Sequence, residues 1–390
     1  MKSEWKTSPL RDLVGFISKG IAPSYADEES ETTVRVLNQK CNRNFRITYS
    51  ESRLHDLSRK KVPTERFVRI DDILINSTGA GTAGRIAQIC NLPCDTIVDG
   101  HMIIIRANNK VSQKYLGYAM KAHQWEVLQL DEGSTGQTEL NRERLLDEIM
   151  ISYPTSFALQ EMIVKTLEGI DRKLLINEKV NDNLQQQAET LFKAWFIDFA
   201  PFDGMKPNNW VVYTLGEVTE MGAGGDKPKN TSKIRSAECP YPVYSNGLDN
   251  EGLYGYTDKA KIFDESVTVS ARGTIGFVCL RHLPYVPIVR LVTLIPKESI
   301  LSAKYLYLYL KQLHISGTGT TQQQLTVPDF RKTEILIPDN TTMMDFTKVV
   351  TPIFNKIWAN EDENKQLALI RDTLLPKLMS GEIDVSEIQL

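Results

Sequence analysis

Two stretches of this 390-residue chain carry apolar side chains at alternating steps of four and three. In the first, Ile163, Leu167, Ile170, Leu174, Asn177, Asn181, Leu184, Ala188, Leu191 and Trp195 follow without a break. In the second, the same steps run through Phe346, Val350, Ile353, Ile357, Asn360, Asn364, Leu367, Arg371, Leu374 and Leu378. A mean step of about 3.5 residues is the seam of a coiled coil, so the pattern predicts two long helices. Ile163 to Trp195 is 33 residues, on the order of 50 Å at the helical rise. Pro352 and Pro376 interrupt the second pattern. Proline removes a backbone donor and clashes one turn back, so a kink or restart is expected near the first and a stop near the second.

Outside these stretches the apolar residues fall in short strand-like runs, such as IDDILIN, RIAQI and FVCL, separated by turn residues. The chain therefore reads as α+β, with two folded regions separated by two long helices.

The second half restates the first. WKTSPLRDL at 5–13 returns as WVVYTLGEV at 210–218, DDILINSTGAGTAG at 71–84 as DESVTVSARGTIG at 264–276, and SQKYLGYAMK at 112–121 as SAKYLYLYLK at 302–311. The two seams superpose at a shift of 183, and both carry an asparagine pair: Asn177 and Asn181, then Asn360 and Asn364. Amides in an apolar seam cost stability and specify register and partner. Antiparallel packing about a pseudo-twofold axis would place Asn177 beside Asn364 and Asn181 beside Asn360. The alternative is two independent surface helices whose asparagines face water.

Duplication also bears on the glycines of TGAGTAG. Gly79, Gly81 and Gly84 match the G-x-G-x-x-G spacing of phosphate-binding loops. The second copy keeps only Gly273 and Gly276, and in both copies a strand follows where a phosphate loop must open into a helix. The shared G-T-x-G is read as a tight hairpin or bulge that needs positive φ.

The composition, 41% hydrophobic and 24% charged with net charge −3, is that of a soluble globular chain of two or three domains. The start MKSEWKTS has no apolar leader and no run approaches the roughly 18 apolar residues of a membrane span, so a cytoplasmic location is expected. Five cysteines suggest reduced thiols.

Charge is unevenly spread. The helical stretches 155–200 and 339–390 are net −2 and −4, whereas residues 35–69 hold 10 basic and 3 acidic side chains. A basic run interleaved with amides and aromatics suits a polyanion, because Arg and Lys neutralise phosphates and Arg, Asn and Gln read base edges. Candidate DNA-binding residues are Arg43, Arg46, Arg53, Arg59, Lys60, Lys61 and Arg66 in the first half. In the second they are Lys227, Lys229, Lys233, Arg235 and Arg272. Gln137 and Gln322 occupy equivalent places in the amide-rich loops GSTGQTELN and GTGTTQQQL, where a turn-forming role is the other reading.

Catalytic and metal-binding patterns are thin. Cys90, Cys94 and His101 lack a fourth ligand and the spacing of zinc modules. Asp329, Glu363 and Lys365 could in principle hold Mg²⁺, but Asn364 belongs to the seam and puts its neighbours on a helix flank. No catalytic or metal residue is assigned. The rival expectation is a stand-alone DNA methyltransferase or nuclease using the glycine turn or this acidic set.

The chain resembles the DNA-specificity (S) subunits of type I restriction-modification systems over essentially its whole length. The resemblance is carried by W-x(4)-L-x-D/E at Trp5 and Trp210, by the G-T-x-G turns, by TLFKAWFIDFAPFDG at 190–204, and most specifically by RDTLLPKLMSGEID at 371–384. It implies a target-recognition domain at 1–154, a helical spacer at 155–204, a second recognition domain at 205–338 and a second spacer at 339–390. The spacers would form a pseudo-twofold symmetric, antiparallel coiled coil. It further implies that each domain reads half of a bipartite double-stranded DNA target and that two methyltransferase (M) subunits dock on the helices. Motor-nuclease (R) subunits would join them. The chain itself would be non-catalytic, with S-adenosylmethionine, ATP and Mg²⁺ held by the partners. A spacer of about 50 Å corresponds to roughly 15 base pairs at about 3.4 Å per step, which makes the helices a ruler.

Overall fold

The computed structural model describes residues 4–132, 138–316 and 324–385. It divides into two units, Met1–Ile176 with Glu363–Leu390, and Asn177–Asp362.

In the first unit, strand Trp5–Pro9 pairs antiparallel with Met150–Pro154, joining the start of the folded region to its end. Between them lies a sheet ordered Val14–Lys19, Met102–Ala107, Ile73–Asn76, Ile86–Gln88, all antiparallel. The unbroken apolar runs ILI and MIII follow from burial on both faces. Ile73, Ile75, Ile103 and Ile105 meet Tyr115 and Leu116 of helix Gln113–Ala122, together with Ile163 and Leu167. Leu74, Met102 and Ile104 face a second layer with Leu37 and Val98. That layer is a four-stranded sheet, Thr96–Val98, Thr33–Leu37, Arg53–Asp56, Tyr25–Ala26, whose first two strands run parallel.

The second unit repeats the plan. Val211–Thr214 pairs with Glu334–Ile337, and the central sheet is Thr219–Ala223, Val292–Pro296, Ser266–Val269, Val278–Arg281. A three-stranded sheet, Leu253–Thr257, Tyr241–Tyr244, Val286–Pro287, again contains a parallel pair. Ser112 and Ser302 cap the equivalent helices, each accepting at 3.2 Å from the amide three residues on, Tyr115 or Tyr305.

The two seams lie on helices Phe157–Phe196 and Asn340–Met379, of 40 residues each. Both units contain a piece of each helix, packed antiparallel. In the first, Asn364 Nδ2 donates to the Leu174 carbonyl at 3.4 Å, and Lys173 pairs with Glu363 at 3.0 Å. In the second, Asn360 Nδ2 donates to Asn181 Oδ1. None of the predicted seam positions is exposed.

One expectation is corrected. The helix does not restart at Pro352; it ends at Met379, three residues beyond Pro376 and near the expected stop. Both prolines are exposed, as are Lys348 and Asp372 four residues before them, so each proline sits on the solvent side of the helix, where water can replace a lost backbone bond. Gly381 follows the helix at φ +77°, and a Cβ there would lie 2.7 Å from the Trp5 ring. The glycine of LMSGEID is thereby explained by a close approach as well as by backbone conformation.

Candidate nucleic-acid interface

The G-T-x-G segments are hairpin turns. Ile73–Asn76 pairs antiparallel with Ile86–Gln88, and Ser266–Val269 with Val278–Arg281, so no helix opens where a phosphate loop requires one. Gly81 and Gly84 have φ of +68° and +81°, and Gly273 and Gly276 repeat this at +69° and +84°.

Each turn also serves as a hub. In the first unit Asn42, fully buried, donates from Nδ2 to Asn76 Oδ1 at 3.1 Å and to the Arg85 carbonyl at 2.8 Å. On the other side, Leu140 N donates to the Ser77 carbonyl at 2.7 Å. In the second unit Ala271 N donates to Asn246 Oδ1 at 2.7 Å, and Leu325 N to the Ala271 carbonyl at 3.0 Å. In both copies an asparagine a few residues after a strand of the second sheet, Asn42 after Thr33–Leu37 and Asn246 after Tyr241–Tyr244, thus bonds to the glycine hairpin.

The basic candidates of the first unit separate into three groups. Arg43 and Arg46 face each other across the two-stranded hairpin Asn42–Ile47. Arg53 lies over the Tyr25 ring, 3.4 Å from its centroid. Arg59, Lys60 and Arg66 are turned toward the segment at 20–25. Arg59 donates to the Tyr25 carbonyl at 3.4 Å, Lys60 to Ala22 at 2.6 Å and Arg66 to Gly20 at 3.5 Å. Arg59 also pairs with Asp56 at 3.1 Å. Lys61 is exposed. His55 is fully buried beneath this group, accepting from Ser24 N at Nδ1 and, through Nε2, reaching the Lys60 carbonyl, both at 2.8 Å. An accepting Nδ1 leaves Nε2 as the donor, so the ring is the neutral Nε2–H tautomer.

In the second unit Lys227 and Lys233 converge on Tyr254, their ammonium groups 5.0 and 4.3 Å from the ring centroid. Lys233 also donates to the Tyr254 carbonyl at 3.0 Å. The hydrogen bond from Lys227 and the positive charge around the phenol hold Tyr254 below the usual tyrosine range. Arg235 donates to the Pro240 carbonyl at 3.1 Å, and Arg272 to Gln324 Oε1 at 3.0 Å. Lys229 is exposed. Gln137 and Gln322 lie outside the described residues.

Cation and aromatic trade places between the copies. Tyr25 belongs to the edge strand beside Arg53–Asp56 and receives Arg53 from its neighbour. In the second unit Lys233 comes from the edge segment bridged at Ser232 to Tyr256, and Tyr254 from the neighbouring strand. Cation–π contact with an exposed basic group fits both arrangements. Sequence reasoning singled out the cations and missed Tyr25 and Tyr254, because the partners are far apart in the chain.

A half-buried charge cluster, also missed, adjoins the first hairpin. Lys121 sits 3.5 Å from Asp171 Oδ2 and 5.0 Å from the Phe45 ring. Asp171 also accepts from the Tyr118 hydroxyl at 2.9 Å and from Arg371 at 3.0 Å. Burial pulls the Lys121 ammonium below its ordinary value, opposed by the Asp171 charge.

Among the described residues there is no group of three or more His, Cys, Asp or Glu able to hold a metal ion. Thr326 Oγ1 donates to Asp329 at 2.7 Å, and Glu363 pairs with Lys173. His101 Nδ1 meets the Thr78 hydroxyl at 2.8 Å, where the other ring-nitrogen roles follow the tautomer. No described helix is long and apolar enough to cross a membrane.

A duplicated α+β unit, a basic-aromatic patch in each copy and two asparagine-registered helices describe a double-headed DNA-recognition chain. A model of the type I restriction modification DNA specificity domain matches residues 2–186 and 207–367, and the chain belongs to that family. It is 26% identical to the type I restriction enzyme MjaIX specificity subunit of Methanocaldococcus jannaschii, over 99% of this chain and 95% of that one. It is also 26% identical to the HindI specificity subunit of Haemophilus influenzae, over 57% of this chain and 67% of the relative. The crystal structure of a type I S subunit from M. genitalium shares the fold, with a TM-score of 0.57 at 16% identity, covering 97% and 96% of the two chains. The rival expectation of a stand-alone methyltransferase or nuclease gains no support from these relatives.

Proposed function

We propose that this chain supplies the sequence specificity of a type I restriction-modification complex and no chemistry of its own. Each unit reads one half of a bipartite duplex target. The paired helices set the gap between the halves and dock two methyltransferase subunits, with motor-nuclease subunits joining the assembly. S-adenosylmethionine, ATP and Mg²⁺ belong to those partners.

The observation that carries the reading is the recurrence, on both copies of one fold, of a basic-aromatic patch beside an asparagine-tethered glycine turn, while net negative charge is confined to the helical stretches. A polyanion-attracting patch on each of the two copies fits a target with two half-sites. Docking is supported by apolar side chains left outside the seam. Leu175, Ile176, Leu369 and Ile370 are 41%, 48%, 69% and 48% exposed, and exposed apolar side chains on these helices fit a docking surface.

Co-production with a methyltransferase subunit from the same host, followed by genome-wide mapping of methylated adenine, tests the reading. Methylation confined to one bipartite motif is expected. A stable complex that methylates without sequence preference, or methylation by the chain alone, would overturn it.

A further inference from the structure

The hairpin Asn42–Ile47 divides its side chains between two faces. Its register sets Asn42 opposite Ile47 and Arg43 opposite Arg46, and successive strand residues point to opposite sides. Asn42 is bound to Asn76 and Arg85 as described, and Ile47 packs on the apolar layer that contains Leu37 and Val98. The arginine pair therefore takes the other face.

The stem is held at both ends. The two turn residues, Asn44 and Phe45, lie at φ +52° and +61°, the primed turn that closes a two-residue hairpin. Phenylalanine is unfavourable in that region, so surrounding contacts must hold it there. The Lys121 ammonium over the Phe45 ring does so, and Lys121 is itself anchored to Asp171.

The register brings the guanidinium-bearing residues Arg43 and Arg46 to one face of the ribbon. Their fixed presentation suits a ligand that supplies negative charge and planar acceptors. A two-stranded ribbon enters the major groove, where arginine pairs bidentately with the O6 and N7 of guanine.

We propose that Arg43 and Arg46 are the base-reading pair of the first unit, each recognising a guanine edge in one half-site. Phe45 and Lys121 are positioning residues that hold the ribbon. This rests on the proposed function and goes beyond it by assigning specificity to one hairpin.

The test uses the full chain with its methyltransferase subunit and motif mapping. Arg43→Lys and Arg46→Lys keep the charge but lose the planar fork. Each is expected to make one half-site degenerate at a single position, with discrimination there falling about tenfold or more. The other half-site and the gap stay unchanged. Phe45→Ala should blur the same half-site, and Phe45→Trp should preserve it. Lysine variants that methylate the wild-type motif unaltered, or that lose activity equally at every sequence, overturn base reading by this pair. A wild-type complex with no bipartite motif would instead sink the proposed function itself.

Discussion

Asn360 Nδ2 donates to Asn181 Oδ1 at 2.7 Å, and Asn181 Nδ2 donates in turn to the Ile357 carbonyl at 3.2 Å. The pair satisfies its amides inside an apolar seam, which only this alignment of the helices allows. Asn360→Leu removes the donor and leaves the Asn181 carbonyl oxygen without it, at an expected cost of about 1–3 kcal/mol. Asn181→Leu with Asn360→Leu should recover most of that stability. Thermal denaturation of the single and double variants checks this; a double variant no more stable than the single would remove the pair as the cause.

The ruler role makes a prediction about DNA. One heptad added after Gln185 and another after Lys356 lengthens both helices by roughly 10 Å while keeping the seam in phase. The gap between half-sites should grow by roughly 3 base pairs, the half-sites themselves staying as they were. An unchanged gap in the mapped motif would refute the idea.

Lys227 and Lys233 share the Tyr254 ring, and under the proposed function we assign them to the DNA backbone rather than to bases. Replacing either with alanine should weaken binding to all duplexes alike and lower the slope of log affinity against log salt by about 1. Titrations at several salt concentrations provide the measurement. A shifted sequence preference with an unchanged slope would mean that these lysines read bases.

Gly273 and Gly276 both need positive φ, but they differ in the space around them. A Cβ at Gly273 meets nothing within 4 Å, whereas at Gly276 it lies 2.8 Å from the Ile315 carbonyl oxygen. Gly273→Ala should cost about 1 kcal/mol from backbone strain alone. Gly276→Ala should cost clearly more, and the melting temperatures should rank accordingly.

Asp339 accepts from Thr342 N at 3.1 Å at the start of the C-terminal helix, and this bond holds its carboxyl below its ordinary 3.8. The ionised form is favoured by folding, so its contribution is complete above the ordinary value and is lost as pH falls through the lower folded one. Asp339→Ala should therefore cost about 1 kcal/mol near pH 7. The difference from wild type should shrink as the solution is acidified below 3.8. Paired denaturation curves at neutral and acid pH decide this.

The helices were legible because the evidence for them is local: a seam repeats every few residues, and all its positions proved shielded. The glycine turns became legible once the two copies were compared. Pro352 misled because a proline's effect depends on which face it occupies, and this one lies on the exposed side of the helix. The basic run showed its charge but not its division of labour. Arg59 and Lys60 turn toward a segment some 35 residues earlier, a folding the linear pattern does not contain.

Duplication, the α+β class, the two helices and the amide pairs in their seams were set by the order of residues alone, since each rests on periodicity or on repetition. Tertiary structure decided which cations meet aromatic rings and which carbonyls they reach, and it placed Lys121 between Asp171 and Phe45. Those outcomes depend on contacts between residues distant in sequence. Their energies come from burial and geometry, which exist only once the sheets and helices have packed.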